Sequence, residues 1–141
     1  MLFPNRTKHR KWQTGRKNPA RLASKVATRG IRVSFGSFGL KAEGHVRMTS
    51  NQIEAARKAI KRHVGKTGKV WIRIFPDRPF TRKAAEVGMG KGKGSPEGFV
   101  CDIYTGRILF EVDGVADDVA KEALRKGGTK LPVKTKIVSR K

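Results

Sequence analysis

The chain has 141 residues, a length that suits one domain with a real core but not two. Lysine and arginine number 33 against 11 aspartate and glutamate residues, so the net charge is +22, and we expect a polyanion, nucleic acid rather than an anionic membrane surface, to neutralise it. No apolar run approaches the roughly 18 residues of a membrane-spanning helix, and the single cysteine excludes an internal disulfide and a cysteine-built zinc site.

Basic residues are concentrated at the start of the chain, before the first acidic residue, Glu43. Residues 1–30 hold few apolar side chains, and these follow no clear period. This predicts a basic tail, which we call the arm, and not a folded element. We expect the arm to be extended in isolation and ordered on its partner. Trp12, between Lys11 and Arg16, can stack on a base. A cleaved transit peptide, also basic and free of acidic residues, is the less favoured alternative.

The remaining chain, residues 31–141, is expected to form a single domain. In its first half, two segments have a clear pattern of secondary structure. Residues 31–40 predict a strand, a turn at Gly36-Ser37, and the start of another strand. Residues 49–64 predict a helix, because Thr49 and Gln52 have the spacing of a capping box and the apolar residues recur at helical spacing.

The side of this helix opposite its apolar stripe is basic. Four cations lie within two turns, Arg57, Lys58, Lys61 and Arg62, and Glu54 offers an i,i+4 partner only to Lys58. A solvated charged face is the ordinary meaning of such a pattern. Because the four cations repel one another, a bound phosphate backbone would relieve the repulsion, and we favour RNA contact.

The second half of the chain completes an α+β pattern. A tight hairpin is predicted at Thr105 and Gly106, and Gly127 and Gly128 are expected to end the second helix. The predicted fold is a two-layer α/β sandwich with two helices on one face of a mainly antiparallel or mixed sheet, plus an extended basic N-terminal tail. These remaining elements are strands at 70–75, 99–104, 107–112 and 133–138, and a helix at 116–126.

A long stretch without a periodic pattern, residues 76–98, is predicted to be a flexible Gly/Lys loop. Alternating glycine and lysine lets backbone amides approach phosphates and adds two mobile ammonium groups; a merely flexible charged loop is the equally weighted alternative. A nucleotide-binding phosphate loop is not supported, since its pattern needs a glycine where Ile60 precedes Gly65. The candidate residues are Met89, Gly90, Lys91, Gly92, Lys93 and Gly94.

No set of residues predicts catalysis. His9, His45 and His63 share no metal-ligand spacing, and Cys101, within an apolar strand, is most simply a small buried hydrophobe. The adjacent Asp117 and Asp118 are explained by their place at a helix start. We expect no enzyme, no cofactor and no metal.

Several blocks in a fixed order carry a more specific signal, which covers nearly the whole chain up to about Val138. They are Met1-Leu2 with Pro4, Arg6-Thr7-Lys8, Arg10-Lys11, V-S-F-G-S-F-G-L-K at 33–41, Q-I-E-A-A-R at 52–57, W-I-R-I-F-P-D at 71–77, M-G-K-G-K-G at 89–94 and L-P-V-K-T-K at 131–136. Together they resemble the universal large-subunit ribosomal protein L-sixteen family, in its bacterial or organellar form. Because the similarity begins at Met1, we expect no removed presequence.

The resemblance implies a structural component of the large ribosomal subunit. Such a protein binds 23S-type rRNA near the peptidyl-transferase centre, contacts A-site tRNA, with P-site tRNA left open, and supports translation and late subunit assembly. Its partners would include neighbouring large-subunit proteins, with no membrane and no independent homo-oligomer, in the cytoplasmic bacterial ribosome or an organellar one. A free RNA-binding protein or RNA chaperone of the same fold is the alternative function.

The resemblance also assigns roles by position. Arg57, Lys58 and Arg62 match a helix surface that contacts tRNA and rRNA, and residues 89–94 match a segment that points toward the catalytic rRNA. With the reading of the arm and helix above, the expected rRNA-binding residues are Arg6, Lys8, Arg10, Lys11, Trp12, Arg16, Lys17 and Lys61.

Two glycines depart from the family pattern. Gly88 stands where some bacterial members carry an arginine that can be hydroxylated, so we expect that modification to be absent. Gly98 stands where an aromatic residue is common, which predicts a less rigid exit from the loop.

Overall fold

The computed structural model describes residues 1–140, which form three helices and seven strands in two antiparallel sheets. This confirms the predicted α+β class; Lys141, the last residue of the predicted domain, lies outside the described residues. The elements are α1 (Pro19–Ser24), β1 (Phe38–Ala42), β2 (Val46–Thr49), α2 (Ser50–Val64), β3 (Lys69–Ile72), β4 (Arg78–Arg82), β5 (Ser95–Ile103), β6 (Ile108–Asp113), α3 (Asp117–Gly128) and β7 (Thr135–Ser139).

The main core lies between the two long helices and a four-stranded sheet of order β3-β6-β1-β7. The helices α2 and α3 pack on each other and turn their apolar stripes toward this sheet. Leu40, Phe110, Ile53, Ile60 and Leu124 are fully buried there. The helical layer therefore holds α2 rigidly with its polar side outward.

The other face of this sheet is covered by residues 31–37, which were expected to be a strand and are not. Three of their amides bond to a carboxylate: Ser34, Phe35 and Gly36 donate to Glu111 at 2.7, 2.7 and 3.1 Å. The Ser37 amide donates to the Val112 carbonyl of β6 at 3.1 Å. A Cβ on Gly36 would lie 2.6 Å from the Val112 carbonyl oxygen, so only glycine allows this approach.

The predicted hairpin at Thr105 and Gly106 is wrong. β5 belongs to a three-stranded sheet of order β2-β5-β4, whereas β6 lies in the four-stranded sheet with both of its edges occupied by β1 and β3. Gly106, at φ +98°, donates its amide to the Ala42 carbonyl at 2.8 Å. The two residues therefore link the sheets and do not close a hairpin.

The expected loop at 76–98 is much shorter, because β4 and the first part of β5 lie within it and pair with each other. The remaining connection, the β4–β5 loop, comprises residues 83–94. Gly98 lies inside β5 opposite Phe80, and not at the loop exit where it was expected. A Cβ on Gly98 would lie 3.0 Å from the Phe80 ring, which covers the gap.

The predicted helices are confirmed, with one end corrected. Thr49 and Gln52 form the expected capping box at the start of α2. α3 continues through Gly127 and Gly128 instead of stopping before them. The reason is packing: a Cβ on Gly127 would lie 2.4 Å from Ile60 of α2, so this glycine serves close helix approach.

Candidate nucleic-acid interface

The basic side of α2 carries four cations, Arg57, Lys58, Lys61 and Arg62, which we call the α2 surface. Lys58 and Arg62 are exposed and, within residues 1–140, have no hydrogen-bond or ion-pair partner. Lys61 donates to the Gly68 carbonyl at 2.9 Å. The α2 surface therefore offers two unengaged cations one turn apart.

Arg57 differs from its neighbours because it is only half-exposed and pairs with Glu54, the residue expected to pair with Lys58. Its Nε lies 3.0 Å from Glu54 Oε2, and its Nη2 contacts the other carboxylate oxygen. This hydrogen bond lowers the pKa of Glu54 and raises the pKa of Arg57. Arg57 thus lies at the flank of the apolar stripe with its charge already balanced.

The arm lies against the folded body at several points. Leu2 packs on the core, and Ala27 donates to the Thr105 carbonyl at 2.8 Å beside a short bridge at Val26. The arm also contains the helix α1, which was not predicted.

The candidate cations of the arm remain available despite these anchors. Trp12 lies over β4, where the Arg78 guanidinium is 5.6 Å from its ring centroid. Among the described residues, the following are exposed and have no side-chain hydrogen-bond or ion-pair partner: Arg6, Lys8, Arg10, Arg16 and Lys17.

The β4–β5 loop carries the predicted glycine–lysine segment at the tip of a hairpin. Met89 is fully exposed, and Gly90, Lys91 and Gly92 have successive positive φ values of 103°, 59° and 92°. A Cβ on Gly94 would lie 2.9 Å from the Arg82 carbonyl, so the two strands approach closely at the base of the loop. The segment is therefore presented away from the core.

The structure brings the arm and this loop together. Lys11 donates its ammonium to the Lys93 carbonyl at 3.2 Å, and the Lys93 ammonium donates to the Trp12 carbonyl. Across the described part of the chain, no hydrogen bond or ion pair joins the loop to the α2 surface. Of the three predicted sites, the arm and the β4–β5 loop are therefore in contact with each other, whereas the α2 surface is separate from the loop.

Sequence reasoning missed a cleft of about 530 Å³ between the arm and the three-stranded sheet. Its lining includes Trp12, Phe75 and Arg78. Asp102, which also lines the cleft, accepts from Arg47 Nε at 3.2 Å and from Arg78 Nη1 at 2.8 Å. No local signal could have revealed this cleft, because its walls are distant in sequence.

The single cysteine also lines this cleft. Cys101 is partly buried and packs against the core. Burial raises the pKa of its thiol to about 11, so the thiol is protonated at neutral pH.

Within residues 1–140 no three His, Cys, Asp or Glu side chains are grouped to hold a metal ion. None of the helices in these residues is both long and apolar enough to cross a bilayer.

A small α+β body with a basic arm, a basic helix surface and a glycine–lysine hairpin tip has the features of an RNA-binding domain. The family model described as Ribosomal protein L16p/L10e matches residues 4–138, and the chain belongs to this family. It is a structural, non-enzymatic constituent of the large ribosomal subunit that binds rRNA and acts in translation. Its partners are rRNA and neighbouring ribosomal proteins, in a cytoplasmic or organellar ribosome.

Proposed function

We propose that this chain binds 23S-type rRNA near the peptidyl-transferase centre and contacts A-site tRNA, with P-site tRNA as a further contact. It would thereby support late subunit assembly as well as translation. The arm would lie in rRNA, the α2 surface would contact tRNA or rRNA, and the β4–β5 loop would reach toward the catalytic rRNA. Family membership and the placement of these three cationic features support the proposal.

The observation that carries this proposal is how the internal ion pairs are distributed. The six ion pairs of residues 1–140 all use arginine, namely Arg47, Arg57, Arg73, Arg78, Arg82 and Arg125. Within those residues no lysine pairs with a carboxylate. Because a lysine ammonium is a compact, mobile charge, the lysines are left to neutralise phosphates outside the chain.

Recognition of this kind reads shape and backbone more than base sequence. The grooves of A-form RNA offer lysines few base edges, so duplex contacts are made to phosphates and 2′-hydroxyls. Each neutralised phosphate contributes a slope of about −0.7 to −0.9 to the dependence of log affinity on log salt. We therefore expect binding of the isolated chain to weaken steeply as salt rises.

The tip of the hairpin gives the most direct test of the tRNA contact. We expect Lys91→Ala with Lys93→Ala to leave the core folded, since both side chains are exposed and the variant loses only the Lys93 bond to the Trp12 carbonyl, and to impair A-site tRNA accommodation or subunit maturation. Ribosomes from a strain carrying the double variant should show reduced A-site tRNA affinity or immature large subunits in polysome profiles. Lys66→Ala with Lys130→Ala, also exposed, removes the same charge elsewhere. Normal profiles and normal elongation for the loop variant would contradict the proposal.

Sedimentation separates this proposal from a free RNA chaperone of the same fold. A subunit component should travel with large subunits in a gradient at high magnesium. A chaperone should remain near the top and anneal strands over many turnovers as the purified chain. If most of the protein remained at the top of the gradient, this would contradict the proposal that it is a component of the large subunit.

A further inference from the structure

The cleft between the arm and the three-stranded sheet has the size of a ligand site. Its volume of about 530 Å³ falls within the roughly 300–1,000 Å³ typical of sites for small molecules. The arm contributes Leu2 and Trp12 to one wall; the segment between β3 and β4 contributes Phe75 and Asp77, and β4 contributes Arg78, to the other. A cleft with walls from two distant segments can admit a group that is itself part of a larger partner.

Two aromatic rings at this cleft are only partly covered. Trp12 is 39% exposed and Phe75 is 44% exposed. A monomer in water gains little by leaving such large apolar rings uncovered. Rings of this kind beside cations are the stacking platforms on which single-stranded nucleic acids place their bases.

The cations of the cleft have unused donors. Arg78 donates Nη1 to Asp102, and within the described residues its Nη2 has no acceptor, whereas its unpartnered Nε is buried. Arg107, which also lines the cleft, donates Nη1 and Nη2 to the Arg29 and Arg73 carbonyls, and its unpartnered Nε is likewise buried, so Arg78 Nη2 is the donor on which the cleft depends. Guanidinium groups of this kind are suited to phosphate oxygens and to the carbonyl oxygens of bases.

Of the two carboxylates that line the cleft, Asp102 is paired with arginines, and the other makes the cleft more selective than a simple phosphate site. Asp77 is exposed at the cleft, and within residues 1–140 its side chain has no hydrogen-bond or ion-pair partner. A carboxylate repels phosphate but accepts hydrogen bonds from a base. Guanine presents two adjacent N–H donors on its Watson–Crick edge, which match the two oxygens of one carboxylate.

We infer that this cleft binds one unstacked nucleotide of an RNA single strand and favours guanosine. The base stacks on Trp12, and its Watson–Crick edge donates hydrogen bonds to the Asp77 carboxylate. Arg78 donates a hydrogen bond to an oxygen of the same nucleotide. This inference rests on the proposed rRNA-binding function and adds to it a base-reading site. An apolar side chain from a neighbouring ribosomal protein is the competing occupant, but the unpaired Asp77 carboxylate and the free Nη2 of Arg78 favour a nucleotide.

The test uses the full chain and fluorescein-labelled short oligouridines, read by anisotropy at a salt concentration that screens simple phosphate contacts. One oligomer carries a single central guanosine, one carries inosine there, and one is all uridine. We expect the guanosine oligomer to bind about tenfold more tightly than the inosine oligomer, since inosine lacks one of the two donors. Trp12→Ala should weaken guanosine binding by about five- to a hundredfold, the usual range for a lost stacking partner, whereas Trp12→Phe should retain most of it.

The carboxylate is tested by Asp77→Asn, which should remove the preference for guanosine over inosine. Asp118→Asn, an exposed carboxylate at the start of α3, makes the same charge change elsewhere and should preserve the preference. Equal affinity for all three oligomers, or no effect of Trp12→Ala, would overturn the inference. So would crosslinking of Trp12 in assembled subunits to a ribosomal protein and not to rRNA.

Binding of a large 23S-type rRNA fragment by the unmodified chain is measured in parallel. If that binding persists while the oligomers show no preference, the nucleotide site is refuted and the proposed function stands. If the unmodified chain fails to bind the fragment at all, the proposed function itself is refuted.

Discussion

Glu111 is the residue on which the second face of the main sheet depends. Its side chain has 0% exposure and accepts from three successive amides, those of Ser34, Phe35 and Gly36. Arg73 donates to the same carboxylate at 2.7 Å and also lies over the Phe35 ring. One buried charge therefore takes the place of strand hydrogen bonds for the amides of residues 34–36.

These contacts set the protonation of Glu111 and hence part of the pH dependence of folding. Burial alone would raise the pKa of Glu111, but the three amides and the Arg73 guanidinium outweigh it and hold the pKa below the ordinary value of 4.5. Because the folded-state pKa is depressed, the stabilisation is present above the unfolded-state value and is lost as pH falls through the folded-state value.

We predict that Glu111→Gln lowers the free energy of unfolding at pH 7 by about 2–4 kcal/mol, since Arg73 is left without its counter-charge. Urea unfolding across pH 2–7 is the measurement, with the acid loss of stability smaller in the variant than in the unmodified chain. Some loss should remain, because the pKa values of Glu54 and Glu122 are also lowered. An acid dependence identical in both proteins would show that Glu111 does not carry the effect.

The contact between the two long helices is set by one small residue. Gly127 of α3 faces Ile60 of α2, and its missing side chain lets the helices approach. Alanine has the better intrinsic helix propensity, by about 1 kcal/mol. Propensity and packing therefore predict opposite signs for a substitution at this position.

We predict that packing dominates and that Gly127→Ala destabilises the chain by about 1–3 kcal/mol, the usual cost of overfilling a core. The thermal unfolding midpoint measures it. Gly88→Ala is the control, because a Cβ there meets nothing within 4 Å and its φ is not positive. A stabilised Gly127→Ala chain would mean that Ile60 can move aside freely.

The cations of the α2 surface have two different roles, which the sequence alone did not distinguish. Lys58 and Arg62 are free to contact RNA, whereas Arg57 forms an ion pair with Glu54. We predict that Lys58→Ala with Arg62→Ala leaves stability within about 0.5 kcal/mol and reduces the slope of log affinity against log salt by roughly 1.4–1.8 for a 23S-type rRNA fragment. Arg57→Ala should instead cost about 0.3–0.5 kcal/mol of stability by breaking its helical pair with Glu54. An unchanged salt slope in the double variant would show that this surface does not contact phosphates.

Signals that are local in sequence predicted these elements well. The capping box and apolar stripe of α2 lie within one short segment, so the helix and its basic side could be deduced from residues 49–64. The pairing of Arg57 with Glu54 was missed because i,i+3 and i,i+4 partners compete and the sequence does not rank them.

Strand partners were predicted less well, since alternation of apolar residues does not say which strand is the neighbour. β6 pairs with β1 and β3, which come from far earlier in the chain, and not with β5. The turn residues Thr105 and Gly106 therefore led to the wrong prediction of a hairpin. The cleft at Trp12 was not predicted, because its walls are also distant in sequence. Nothing near Arg78 in the sequence indicates that it contacts the Trp12 ring of the arm.

At the scale of the molecule the dominant quantity is a net charge of +22 on one small domain. Within the described chain every ion pair of a carboxylate is with an arginine and none is with a lysine, so the lysine charge is balanced mainly by solvent ions in the free protein. The free chain should therefore be less stable than its packing implies, and its stability should depend on ionic strength.

We predict that raising NaCl from about 0.05 to 0.5 M increases the Tm of the free chain by roughly 3–6 °C through screening of this repulsion. Differential scanning calorimetry gives the shift, and a short polyphosphate should produce a comparable one at far lower concentration. A Tm that does not respond to either anion source would contradict self-repulsion as a significant cost.

The position of β1 has a consequence for biosynthesis. This strand lies between β6 and β7, so both of its partners come from the last third of the chain. A nascent chain therefore carries Phe38 and Leu40 without a sheet until translation is almost finished, and such late long-range pairing folds slowly and exposes apolar surface. Nascent copies would need chaperone protection until β7 emerges from the exit tunnel.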